Sequence, residues 1–120
     1  MNDYNLILEN FKYWESKEIY VHLMKQFINN KITGIEFDNK FFEIWKFDRD
    51  RTSNLKDLSY IIKNFELTKI DEFSDLILKL FNDCEVFEPD PLLREDYEID
   101  ENELRECVKK TLLKIEHRYC

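Results

Sequence analysis

The side chains that could do chemistry are scarce in every kind but one. The two histidines, His22 and His117, stand far apart in the chain. Nucleophilic catalysis needs a base held beside its nucleophile, and neither histidine sits in a Ser/His/Asp or Cys/His pattern. His22 has no second histidine at i+4, so it reads as a surface or core-edge residue and not a metal ligand. The cysteines Cys84, Cys107 and Cys120 are odd in number and lack C-x-x-C spacing. Cys84 and Cys107 fall on apolar stripes and read as small core residues. Asp96-x-Glu98-x-Asp100 has the opening of a calcium loop, but its sixth position is Glu101 instead of glycine and its twelfth is Cys107 instead of glutamate. No metal and no cofactor is implied. Carboxylates remain, and a pair such as Glu85 and Glu88 has no pocket signature around it for acid–base work. The chain reads as a binding module and not an enzyme.

The carboxylates are concentrated in one place. Glu85 to Glu106 holds ten acids and two bases, a net charge of −8, which is the net charge of the whole 120-residue chain. The other 98 residues carry 16 acids and 16 bases and balance. Packing like charges into one segment works against compactness, so the segment reads as a recognition surface for something basic. The same balance disfavours nucleic acid and anionic membrane as partners. A solvated acidic face is the alternative, since acids in a first helical turn are favoured by the helix dipole. That covers Asp100, Glu101 and Glu103. It does not cover Glu85 and Glu88, which lie near an expected helix C-terminus, where negative charge is unfavourable.

The segment also carries both prolines, in Glu88-Pro89-Asp90-Pro91. A residue before proline is pushed toward extended geometry, and polyproline II spacing of ~3.1 Å per residue puts the two acids roughly 6 Å apart. That is of the order of the step between phosphates on a nucleic-acid strand. Asp100 followed by Glu103 is a capping-box signature opening a helix.

The elements that must position this segment are helical. One glycine, Gly34, in the whole chain excludes glycine-rich phosphate loops and makes a many-stranded sheet unexpected. Length and a 43% apolar content suit one folded domain over residues 1–120. Apolar residues recur at helical spacing over residues 3–14 and 17–30. Thr33 with Glu36 caps a helix expected from Gly34 to about Phe47, burying Phe37, Phe41, Ile44 and Trp45. Residues 48–53 read as a polar loop. Ser53 or Asn54 should cap a helix burying Leu55, Leu58, Ile61 and Phe65. Thr68 or Asp71 should start the next, with Ile70, Phe73, Ile77, Leu80 and Cys84 inward, and a last helix runs from about Asn102 to Arg118. Short connections favour an all-α antiparallel bundle of five or six helices. No signal peptide or membrane span is read in the chain, and a reduced, cytoplasmic protein is expected.

Two segments resemble a known family. Lys25 to Phe37, K-x-F-I-N-N-K-I-T-G-I-E-F, and Phe87 to Arg105, F-E-P-D-P-L-L-R-E-D-Y-E-I-D-E-N-E-L-R, are similar to the colicin D immunity proteins, small cytoplasmic inhibitors. The paired F-E-P-D and Y-E-I-D-[DE]-N-x-L spacings carry the resemblance. It implies a helical antitoxin that binds the cationic ribonuclease domain of a transfer-RNA-cleaving toxin and sits where the RNA backbone would. It also implies that Glu85, Glu88 and Asp90 face the toxin's catalytic groups, with Glu98, Asp100 and Tyr97 matching the second half of the motif. The toxin could be a bacteriocin or a contact-delivered one. Residues from about 41 to 60 match no such motif, and the first helix reads as an addition to the bundle. An acidic helical adaptor for another basic protein is the competing reading.

Overall fold

A computed structural model describes residues 4–52 and 57–119. Among these residues the chain forms six helices and no strand: α1 (Tyr4–Glu15), α2 (Lys17–Ile28), α3 (Gly34–Asp50), α4 (Leu58–Asn64), α5 (Leu67–Glu85) and α6 (Glu101–Tyr119). The all-α bundle expected from the apolar spacing is the one that forms.

The main core lies between α2, α3, α5 and α6. Tyr20, Met24, Phe27, Phe37, Phe41, Phe73, Ile77, Leu80, Leu104 and Ile115 are fully or almost fully buried there. Burying one such side chain contributes about 1.5–3 kcal/mol. Aromatic pairs order the layer: Phe27 stacks on Phe37 at 4.8 Å, and Trp45 stacks on Phe81 at 4.3 Å.

The first helix is not an appendage. α1 packs most extensively against α5, and its Ile7 and Leu8 form a second buried cluster with Ile61 and Ile70, edged by Phe11, Leu58 and Phe65. The spacing of Tyr4, Ile7, Leu8, Phe11 and Trp14 showed an apolar face but not what would cover it. The caps expected at Ser53 or Asn54, and Leu55, lie outside the described residues, as does Cys120.

Residues 48–50 are helix and not loop. α3 continues because Asp48 is wholly buried and its carboxylate has three partners. Ser16 Oγ donates to Asp48 Oδ1 at 2.7 Å, Tyr20 Oη donates to Oδ2 at 2.8 Å, and Arg51 Nε lies 3.4 Å from Oδ1. Burial, then the Asp48 charge, pushes the Tyr20 phenol far up, so it stays a proton donor. α5 starts at Leu67, ahead of Thr68, because the Glu66 carbonyl already accepts from Lys69 N and Ile70 N without a side-chain cap. At the other end of α3 the expected Thr33–Glu36 capping box is complete, with both reciprocal hydrogen bonds made. Asn30, just past α2, takes φ of 59°, a left-handed position that asparagine tolerates.

Candidate functional site: a closed acidic loop at one end of the bundle

α5 ends at Glu85 and α6 begins at Glu101, and the chain between them closes on itself. Ile99 N donates to Val86 O at 2.8 Å, and Glu88 N donates to Ile99 O at 3.0 Å. This makes an isolated parallel bridge between Phe87 and Ile99. Phe87 is buried in the main core and Ile99 packs against it, so the loop is rooted by two apolar side chains. Arg94 braces the middle: its Nε donates to Glu88 O at 3.0 Å and its Nη2 to Pro89 O at 3.3 Å.

The prolines sit at a corner of the loop. The chain is irregular through Glu88, Pro89 and Asp90, then turns, with Leu93 N donating to Asp90 O at 3.1 Å. Asp90 Oδ1 also accepts from Leu92 N at 2.9 Å, the usual way an aspartate stabilises a turn. Pro91 follows Asp90 at the turn position where its fixed φ fits.

The root is buttressed by α3. Gly34 N donates to Glu101 Oε1 at 2.5 Å. A Cβ on Gly34 would lie 2.8 Å from both Glu101 Oε1 and the Phe87 Cζ. The chain's one glycine is therefore needed for close approach, not for a turn. Glu101 Oε2 also pairs with Arg105 at 3.2 Å, and Arg105 Nε donates to Phe27 O at 3.4 Å while its guanidinium covers the Phe27 ring at 4.8 Å. The N-termini of α3 and α6 both point to this end of the bundle, and their partial positive charge offsets some of the local acid excess.

These bonds divide the carboxylates into two kinds. Asp100 and Glu103 form the expected capping box: Glu103 N donates to Asp100 Oδ1 at 2.8 Å, and Asp100 N to Glu103 Oε1 at 3.2 Å. Glu98 Oε1 accepts from Glu95 N at 2.8 Å, and Glu88 Oε2 accepts from Asp90 N at 3.3 Å, so both fold back onto the loop while remaining part-exposed. Asp90 and Glu85 are exposed, as is Tyr97. The side chains of Glu85, Glu95, Asp96 and Glu106 make no hydrogen bond or ion pair with the described residues. Glu85 sits in a last helical turn that contains no base. A carboxylate there costs about 0.3–1 kcal/mol against the helix dipole. Of the six residues singled out in the sequence, Glu88, Asp90, Tyr97, Glu98 and Asp100 lie in the loop and Glu85 at its entrance, all outside the core.

One neighbour was not visible in the sequence. Asp38 of α3 is half-buried beside Cys84 and Glu85, and the three share a cavity of about 250 Å³ whose other walls include Asn39, Phe42 and Phe81. Burial is the largest cause holding the Asp38 carboxyl above its usual range; a hydrogen bond with Cys84 opposes it, and the Glu85 charge adds to it. Burial, and next the Asp38 charge, pushes the Cys84 thiol up, so it stays protonated as a donor. Asp38 stands one helical turn from Phe41 and Phe42, and a single acid among aromatics gave no signal of its own. Among the described residues no group of three or more His, Cys, Asp or Glu is arranged to hold a metal.

A family model described as bacterial self-protective colicin-like immunity matches residues 16–115. The chain belongs to that family. The match takes in α2, the whole of α3 to α5, the acidic loop and most of α6, including the middle segment that carried no motif. It begins at Ser16, the break between α1 and α2, so α1 lies outside the matched span. No curated protein matches the chain. As a colicin-like immunity protein it binds a colicin-like toxin, and members of this family act as inhibitors. Among the described residues no helix is long and apolar enough to cross a membrane.

Proposed function

We propose that this immunity protein neutralises a transfer-RNA-cleaving toxin by holding carboxylates against the cations that would otherwise hold RNA phosphates. Glu85, Glu88 and Asp90 carry the contact, with Glu98 and Tyr97 at its edge and Asp100 chiefly fixing the start of α6. The observation that supports this is the closed loop itself. The whole net charge of the chain lies between Glu85 and Glu106, and backbone bonds and Arg94 hold that segment in one shape. A ribonuclease active site is basic because it must bind phosphates. A pre-arranged row of acids satisfies the same groups without an ordering cost at the moment of binding.

Survival of cells co-expressing this protein with a basic, nuclease-sized domain, sought in the neighbouring reading frame, tests the proposal. Wild type should protect, and Glu88→Lys with Asp90→Lys should not, while helical content is unchanged. Association should be fast, on the order of 10⁸–10⁹ M⁻¹s⁻¹ at low salt, and slow as salt rises. Protection by the reversed variant, or a toxin domain that does not cut transfer RNA, overturns it.

A further inference from the structure

The acidic loop also carries an apolar crest. Leu92 is 91% exposed, Leu93 64% and Tyr97 72%. Leu92 and Leu93 are adjacent, and Tyr97 stands on the same short loop. The loop has already sent two apolar side chains inward, Phe87 and Ile99, and these root it. Leu92, Leu93 and Tyr97 contribute nothing to that root. Their backbone is nonetheless held: Leu92 N and Leu93 N both donate to Asp90, to its carboxylate and its carbonyl in turn. Tyr97 is of a type enriched at interface hot spots, and an aliphatic or aromatic anchor set within a polar rim is a working design for a binding surface.

We infer that Leu92 and Leu93, with Tyr97 on the same loop, form the apolar anchor of the toxin interface and fill a recess on the toxin's basic domain, while the surrounding carboxylates steer it into place. This rests on the proposed function, which supplies the basic partner. Charge complementarity selects that occupant. Asp90, Glu95, Asp96 and Glu98 flank the crest, so a second copy of the chain would bring like charges face to face, and a basic protein would not. The division of labour separates two rates. Rim charge governs encounter, and buried apolar contact governs escape.

The test uses the toxin domain identified by the survival assay and measures association and dissociation rates separately. Leu92→Ser with Leu93→Ser should raise the dissociation rate about 100-fold, from the loss of two leucine side chains at a desolvated contact. The association rate and its salt dependence should change by less than about threefold. Leu92→Met with Leu93→Met should restore slow dissociation. Both leucines are exposed, so thermal unfolding of the serine variant should match wild type. Dissociation that stays slow in the serine variant overturns this inference and leaves the proposed function standing. So does a wild-type homodimer, or binding to phosphatidylcholine vesicles, that the serine substitutions abolish in the absence of toxin. If wild type protects against no basic toxin domain, the proposed function and the anchor fall together.

Discussion

Gly34 and Glu101 are 67 positions apart, yet the Gly34 amide donates to Glu101 Oε1 at 2.5 Å. The contact joins the first turn of α3 to the first turn of α6 and leaves no room for a side chain between them. Phe87, which anchors the acidic loop, closes the third side of the same contact. The shape of the acidic end therefore depends on a glycine in a different helix.

Gly34→Ala should destabilise the protein by about 1–3 kcal/mol, because its methyl collides with both the Glu101 carboxylate and the core phenyl ring of Phe87. Glu101→Ala should cost about 1–3 kcal/mol by leaving the Gly34 amide and Arg105 Nη2 without their acceptor. The double variant should lose less than the sum, since the methyl then meets only Phe87. Urea unfolding of the four proteins measures the coupling.

Arg94 braces the loop through two backbone carbonyls, so its removal should loosen the loop without melting the bundle. Arg94→Ala is expected to change global stability by less than about 1 kcal/mol. Hydrogen exchange at the Leu92 and Leu93 amides should accelerate well beyond that at the core of α5. Arg94→Lys should not rescue it, because an ammonium lacks the planar fork that reaches both carbonyls.

Asp48 should behave in the opposite way. Asp48→Ala strands the Ser16 and Tyr20 hydroxyls and leaves Arg51 without its buried partner, and should cost about 3 kcal/mol or more. Asp48 lies 14 residues along α3 from Gly34, about 21 Å at helical rise. The toxin association rate of the folded variant should therefore equal that of wild type, by stopped-flow measurement under conditions where the variant is folded.

Asp38 predicts a pH effect whose sign follows from its raised pKa. The folded protein holds the Asp38 proton more tightly than the unfolded chain does, so its contribution is complete below the ordinary value of 3.8 and is lost as pH rises through the higher folded value. Asp38→Asn keeps an acceptor for the Cys84 thiol and removes the charge. It should be more stable than wild type near neutral pH, and the gap should close on acidification below the unfolded carboxylate range. Thermal melts across pH would show this; a gap that widens in acid contradicts it.

The family resemblance, the helices and two of their caps could be read in the chain because they depend on neighbours a few residues away. Thr33 with Glu36 and Asp100 with Glu103 are i, i+3 pairs, and the apolar stripe of α5 repeats within one helix. The error at residues 48–50 has a physical source. Asp48-Arg49-Asp50-Arg51 looks like a solvated loop until Ser16 and Tyr20, from another helix, are placed around the Asp48 carboxylate. α1 was underrated for the same reason, since its apolar face could be seen but not the groove of α4 and α5 that covers it.

By itself, the order of residues determined that the protein is helical, that its excess charge is local, and that the charged segment is cornered by prolines and ends in a capped helix. These follow from covalent geometry, short-range hydrogen bonding and simple summation of charge. Only the tertiary structure decided which carboxylates are spent on the fold and which face outward, that Asp38 joins Glu85, and that two leucines crown the loop. Those outcomes depend on where distant parts of the chain meet, and a carboxylate or a leucine has the same letter whether its neighbour is a backbone amide, a core or open water.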